Sequence, residues 1–259
     1  MSRILLLGGT TEAAEMARLL AVSGQSAVYS YAGRTRAPVA QPLPLRVGGF
    51  GGIEGLRHYL RHETITHVID ATHPFAAQMS RHALHACAAE SVQLCSFERL
   101  PWQAGPRDRW RSVPDMEAAA AALPAMPGRI FLAIGRQNLA AFAGAPQHHY
   151  LLRLVDPPTD PLPLPDAQVV LARGPFETAQ DLALMSKHRI TLVVAKNAGG
   201  RGAEAKIEAA RQLQIPVIMI ERPTLAGRRI FHHADDVLGW LESTGAGAAG
   251  DHGVQDASG

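Results

Sequence analysis

Along the first hundred residues, short uninterrupted apolar runs alternate with longer stretches whose apolar positions recur every three to four residues. Ile4 to Leu7 is wholly apolar, the mark of a parallel strand buried on both faces. Residues 12–22 place Ala13, Met16, Ala17, Leu19 and Leu20 on one stripe, which predicts an amphipathic helix closed by Gly24. Residues 26–31 predict a second strand. Residues 43–47 predict a third, ending in Gly48-Gly49-Phe50-Gly51-Gly52. A helix is expected over 53–61, with Leu56, Tyr59 and Leu60 on its apolar face. Residues 67–70 predict a fourth strand. Pro74 suits the first turn of a helix running to Ala89, and residues 92–97 predict a fifth strand. This βαβαβ order with short connections predicts a doubly wound open sheet.

The pattern lapses over residues 98–114 and then resumes. Helix is expected over 115–122, strands over 129–134 and 150–154, and a proline-rich loop over 157–165. A strand at 169–172, a helix at 177–187, a strand at 191–195, a helix at 203–213, a strand at 217–220 and a helix at 235–242 complete the chain. HVIDATHP and TLVVAKNAGG echo each other: each sets polar residues directly after an apolar strand. The fold class expected is therefore α/β, two Rossmann-like doubly wound parallel-sheet halves with a cleft between them. The first domain is placed at 1–113 and the second at 114–244. Residues 245–259, almost without large apolar side chains, read as a disordered tail.

Composition alters this picture little. With 259 residues, 47% hydrophobic and 19% charged, the chain can bury a sizeable core. A formal net charge of +2 gives no reason to expect nucleic acid as a partner. No run approaches the ~18 apolar residues of a membrane span. The N-terminus carries no secretory pattern, so a cytoplasmic location is expected. Cys87 and Cys95 match no zinc or redox spacing and read as buried thiols.

The candidate chemistry lies at the strand ends. Gly8-Gly9-Thr10 between a strand and a helix start can bring the backbone close to a phosphate. It departs from the G-x-G-x-x-G fingerprint, so by itself it leaves open a glycine turn without ligand. The second strand narrows the choice. NAD sites place an acid at its end, yet no Asp or Glu occurs between Gln25 and Ile53. Arg34 and Arg36 follow it instead, with Ser30 and Thr35 as hydroxyl donors, a set suited to the 2′-phosphate of NADP. His73 is read either as a general acid or as a cap on the helix that Pro74 begins. Arg136, Arg173 and Lys196 stand at other strand ends and suggest an anionic substrate. The pairs His148-His149 and His232-His233 point to opposite faces of an extended chain, so no metal site is expected.

Several longer motifs, LLLGGTTEA, YAGRT, GGFGG, VIDATHPFA, IGRQNL, LLRLVDPP, ARGPF, AKNAGG and PVIMIERP, resemble in sequence and order the precorrin-6A reductase family of cobalamin biosynthesis. The resemblance spans about Ile4 to Trp240. It implies NADPH-dependent reduction of precorrin-6A to precorrin-6B, and the proline-rich segments look more like the aerobic, cobalt-free branch. It places Gly8, Gly9, Thr10, Thr11 and Glu12 at the cofactor, Arg34 and Thr35 at its 2′-phosphate, and Thr72, His73 and Pro74 at the nicotinamide side. Lys196 and Asn197 would face the substrate from the second half. A tetrapyrrole is then the expected small-molecule partner, with adjacent pathway enzymes as candidate protein partners. Two alternatives stand beside this one: cobalt-precorrin-6A reduction on the anaerobic route, and an NADP-binding sensor without turnover.

Overall fold

The computed structural model describes residues 2–31 and 39–245. It divides into two units, Met1–Arg99 with Leu225–Gly259, and Leu100–Thr224.

The first unit contains β1 (Ile4–Leu7), α1 (Thr11–Val22), β2 (Ala27–Tyr31), β3 (Leu45–Val47), α2 (Gly52–His62), β4 (His67–Asp70), α3 (Ala77–Ala89) and β5 (Gln93–Phe97). The second contains β6 (Trp110–Val113), α4 (Met116–Ala121), β7 (Arg129–Ala133), β8 (His149–Leu154), β9 (Ala167–Leu171), α5 (Thr178–Lys187), β10 (Leu192–Lys196), α6 (Ala205–Gln212) and β11 (Val217–Ile220). The chain then returns to the first unit with β12 (Arg229–Phe231) and α7 (Ala234–Ser243).

Each unit is built on one six-stranded, all-parallel sheet, in the orders β12-β5-β4-β1-β2-β3 and β6-β11-β10-β7-β8-β9. The two halves are as the periodicity predicts, but their boundaries are not. β6 lies inside the expected first domain and pairs with β11 of the second sheet. β12 and α7 lie inside the expected second domain and complete the first. Parallel neighbours are joined by long crossovers, so sequence adjacency does not reveal which sheet a short edge strand joins.

The register allows the two halves to be laid over each other. Ile4 pairs with Ala27 and His67, and Ile130 pairs with Tyr150 and Leu192. Counting from these, Gly8 and Gly9 match Ile134 and Gly135, Ser30 matches Arg153, and Asp70, Ala71 and Thr72 match Ala195, Lys196 and Asn197. The echo between HVIDATHP and TLVVAKNAGG is thus an equivalence of position: β4 and β10 both border the point where strand order reverses.

Alternate residues of β1 feed two cores. Ile4 and Leu6 pack with Met16 and Leu20 of α1 and with Val237, Trp240 and Leu241 of α7. Leu5 and Leu7 pack with Leu56 and Leu60 of α2 and Ala83 of α3. Burying each such leucine contributes about 1.5–3 kcal/mol. In the second sheet Phe131, Leu151 and Val193 meet Met185 of α5 and Ile207 of α6. Cys87 and Cys95 are buried and unbonded. Burial pushes the Cys87 thiol up to about 12 and that of Cys95 up as well, so both remain protonated.

Candidate functional site

An open parallel sheet binds ligands beyond the carboxyl ends of its strands, where strand order reverses. In the first unit that point lies between β1 and β4. Beyond β1, Gly8 passes so close to the buried ring of Tyr29 that a Cβ would stand 2.2 Å from Tyr29 Cζ. The Tyr29 hydroxyl accepts a hydrogen bond from Gly9 N at 2.9 Å. Burial raises its pKa, so the phenol stays neutral. Gly9 has φ +118°, in the region that disfavours side chains, and a Cβ there would meet nothing within 4 Å. Its outer face is open to a ligand.

Thr10 then caps α1. Its hydroxyl accepts from Ala13 N at 3.1 Å and donates to Ala71 O at 2.7 Å, tying the helix start to the end of β4. Among the described residues, the N–H groups of Thr11 and Glu12 have no hydrogen-bond partner, as expected in a first helical turn. Exposed backbone, open space beside Gly9 and the positive end of a twelve-residue helix together fit the phosphates of a nucleotide cofactor.

The matching point of the second unit differs. Ile134, buried, occupies the position of Gly8. Gly135 is followed not by an α-helix but by a 3-10 segment, Arg136–Phe142, interrupted at Asn138. A full side chain in place of Gly8 and the absence of a regular helix start deny this half the same phosphate cradle.

Around the first site, several side chains do other work than the sequence suggests. Thr72 is buried, and its hydroxyl donates to Asp70 Oδ1 at 2.7 Å, as its N–H does at 3.2 Å. It closes the end of β4 and does not point outward. Asp70 is 2% exposed, and its Oδ2 has no partner among the described residues. Pro74 does not open the helix. Residues 73–76 form a turn with Ala76 N donating to His73 O at 2.7 Å, and α3 starts only at Ala77. His73 is exposed, and its Nδ1 accepts from Phe75 N at 3.2 Å. That bond leaves the proton of the neutral ring on Nε2. Glu12 is paired with Arg99 at 3.2 Å. Ser30 is buried, 3.4 Å from Arg46 Nη1. Arg46 also holds Gly49 O at 3.0 Å and stacks over Phe50 at 3.7 Å, bracing the glycine-rich turn after β3. Arg34, Thr35 and Arg36 lie outside the described residues.

In the second unit Arg136, Arg173 and Lys196 follow or end β7, β9 and β10, all at the carboxyl edge of one sheet. Arg136 meets Asp160 of the proline-rich loop at 2.7 Å in an exposed pair of the kind worth about 0–1 kcal/mol, readily exchanged for another carboxylate. Arg173 is exposed. Lys196 is half-buried, and desolvation lowers its pKa.

Asn197 corrects the expectation. It is 3% exposed, accepts from Trp102 N at 2.8 Å, and donates to Trp102 O at 3.1 Å and Glu221 at 3.2 Å. A side-chain amide saturated by its own unit is a clamp on residues 100–102, not a ligand contact. Gly199 completes that clamp, since a Cβ there would lie 2.1 Å from Leu100 O.

Sequence reasoning missed Tyr29 and Arg99. Only the adjacent glycines hinted at Tyr29, because a missing side chain implies something pressed against it. Arg153 pairs with the buried Asp181 and stacks on Phe176 at 3.7 Å, which makes it a packing element of the second unit. A cavity of about 770 Å³ opens among Trp110, Arg111, Met126, Gly128, Leu192 and Pro216. It lies where the strands of the second sheet begin, opposite their carboxyl ends.

A family model described as "Precorrin-6x reductase CbiJ/CobK" matches residues 3–242. A precorrin-6A reductase of Rhodobacter capsulatus is 62% identical over 95% of this chain and 98% of its own length. One of Rhodococcus erythropolis is 44% identical over 95% and 98%. A cobalt-precorrin-6A reductase of Priestia megaterium is 28% identical over 91% and 96%. A solved structure titled "CobK precorrin-6A reductase" superposes with a TM-score of 0.89 at 62% identity, over 95% of this chain and 98% of that one.

Proposed function

Because the chain belongs to the precorrin-6x reductase (CbiJ/CobK) family, we propose that it reduces precorrin-6A to precorrin-6B with NADPH, on the aerobic route of cobalamin biosynthesis. The activity is that of a precorrin-6A reductase, an oxidoreductase acting on a tetrapyrrole intermediate. A reductase of this family calls for a nicotinamide cofactor. Among the described residues no helix is long and apolar enough to cross a membrane.

The observation that carries the cofactor reading is the contrast between the halves: Gly8 under Tyr29 in one, Ile134 in the other. Of these two matching points, only the first presents open backbone at the start of an α-helix, which is why the dinucleotide is assigned there. When bound, the cofactor supplies a hydride for an electron-poor carbon of the macrocycle. The Gly9 turn and the N–H groups of Thr11 and Glu12 bind and orient its phosphates. Arg34 and Thr35, after an acid-free second strand, take the 2′-phosphate. Arg136, Arg173 and Lys196 receive the acidic substrate's carboxylates through charge-assisted contacts. His73, with its proton on Nε2, is the candidate donor for the accompanying proton. The chain's remaining task is to hold two ligands in reach of each other and keep water away.

The test is to mix the protein with NADPH and precorrin-6A and follow the nicotinamide absorbance. Loss of absorbance with formation of the dihydro product is expected. NADPH binding without oxidation would favour a sensor without turnover. Arg34→Ala should weaken NADPH binding by about one to two decades and leave NADH almost unchanged. Equal losses for both cofactors would remove Arg34 from the 2′-phosphate site.

A further inference from the structure

Glu12 is the one acidic residue in the first turn of α1. A carboxylate at a helix N-terminus is favourable alone, but it competes with a bound anion for the same positive field. The structure does not leave it unpaired. Arg99, two residues beyond β5, places Nη1 3.2 Å from Glu12 Oε2 and 3.5 Å from Oε1. The Thr11 hydroxyl donates to Oε2 at 3.1 Å. Both charged side chains are about four-fifths covered, at 19% and 18% exposure, so solvent screens the pair only in part.

We propose that Arg99 is a positioning residue for the cofactor: it neutralises and fixes Glu12, so that the start of α1 can accept a diphosphate. This rests on the reading that the glycine turn holds the dinucleotide. It goes beyond that reading in assigning to Arg99 a role exerted through Glu12 and not through the ligand. A single nitrogen serves both carboxylate oxygens, so the role needs a point charge more than a guanidinium fork.

The test is a titration of NADPH and of NADH against wild type, Arg99→Gln, Arg99→Lys, Glu12→Gln and the double variant Glu12→Gln/Arg99→Gln. Folding is verified by circular dichroism. Arg99→Gln should weaken both cofactors alike, by about tenfold or more, because the diphosphate is common to both. Arg99→Lys should stay within about threefold of wild type. The double variant should also recover to within about threefold, since removing the carboxylate removes the need for its partner. Glu12→Gln alone keeps the backbone N–H and should bind both cofactors more tightly than wild type, because the competing carboxylate is gone and the Arg99 charge remains.

A double variant as weak as Arg99→Gln would overturn the proposal, because Arg99 would then act on the ligand directly. So would unchanged binding in Arg99→Gln. If Arg99→Gln does not fold, Glu12→Gln still decides: weaker binding there makes the carboxylate itself a ligand and sinks the idea. A wild-type protein that binds neither cofactor defeats the cofactor reading, and this one with it.

Discussion

At the scale of single residues, the chemistry depends on side chains whose neighbours determine what they can do. His73 shows this best. Its Nδ1 accepts from Phe75 N, so the neutral ring presents Nε2–H, and the ring stays exposed beside the end of β4. The cap on a helix begun by Pro74 is not realised, because α3 starts at Ala77 with Ala76 as its N-cap and no side-chain cap bond; the general-acid reading is decided by kinetics. If His73 donates the proton, His73→Ala lowers turnover by about two decades while NADPH affinity holds. Unchanged turnover assigns the proton to solvent and leaves His73 as a brace for the turn at 73–76. Thr72 and Asn197 teach the converse. Each sits at the carboxyl end of a strand that borders the reversal of strand order, and each directs its polar atoms inward, to Asp70 and to Trp102. Residue type and position nominate a site, but hydrogen-bond partners decide who is available to a ligand.

At the scale of elements, the sequence was most legible where periodicity was strong. β1, β4 and β11 follow the expected runs, and α1, α5 and α7 the expected stripes, within a residue or two. β6 and β12 were not legible. They are edge strands of four and three residues, too short for a period, and are held by pairing with distant partners. The helix ends carry a regularity that glycine alone would have signalled. α1 ends at Gly24, but α2, α3, α5 and α6 run into Thr64, Ser91, Arg189 and Gln214, all at φ between +49° and +56°. Thr64 donates to Arg61 O and Ile65 to Leu60 O, the bonding that a left-handed residue makes possible. A β-branched side chain is poorly suited to that conformation. Thr64→Gly should therefore stabilise the protein by about 0.5–1 kcal/mol, the relief of the left-handed penalty less the added chain entropy. Denaturant unfolding measures it, and a loss of stability would show that the Thr64 side chain makes a contribution larger than its strain.

At the scale of the whole molecule, the chain leaves its first sheet after β5, builds the second, and returns to finish the first. Val237, Trp240 and Leu241 of α7 lie in the same core as Ile4 and Leu6, and β12 pairs with β5. A chain ending at Thr224 should thus lose the first unit and keep the second. Hydrogen exchange followed by mass spectrometry should show protection gone from Ile4–Leu7 and His67–Asp70 and retained in Leu192–Lys196. Protection retained in both would mean that the first sheet does not need its last strand and helix. By itself the sequence determined the α/β class, the two halves, the glycine turn and the acid-free second strand, because these are local: each is a period or a spacing within some dozen residues. The tertiary structure alone decided which strands share a sheet, that Tyr29 lies under Gly8 while Ile134 fills the matching place, that Asn197 is a clamp, and that Arg99 reaches Glu12. Those facts join residues far apart in the chain, and burial and charge act between neighbours in space.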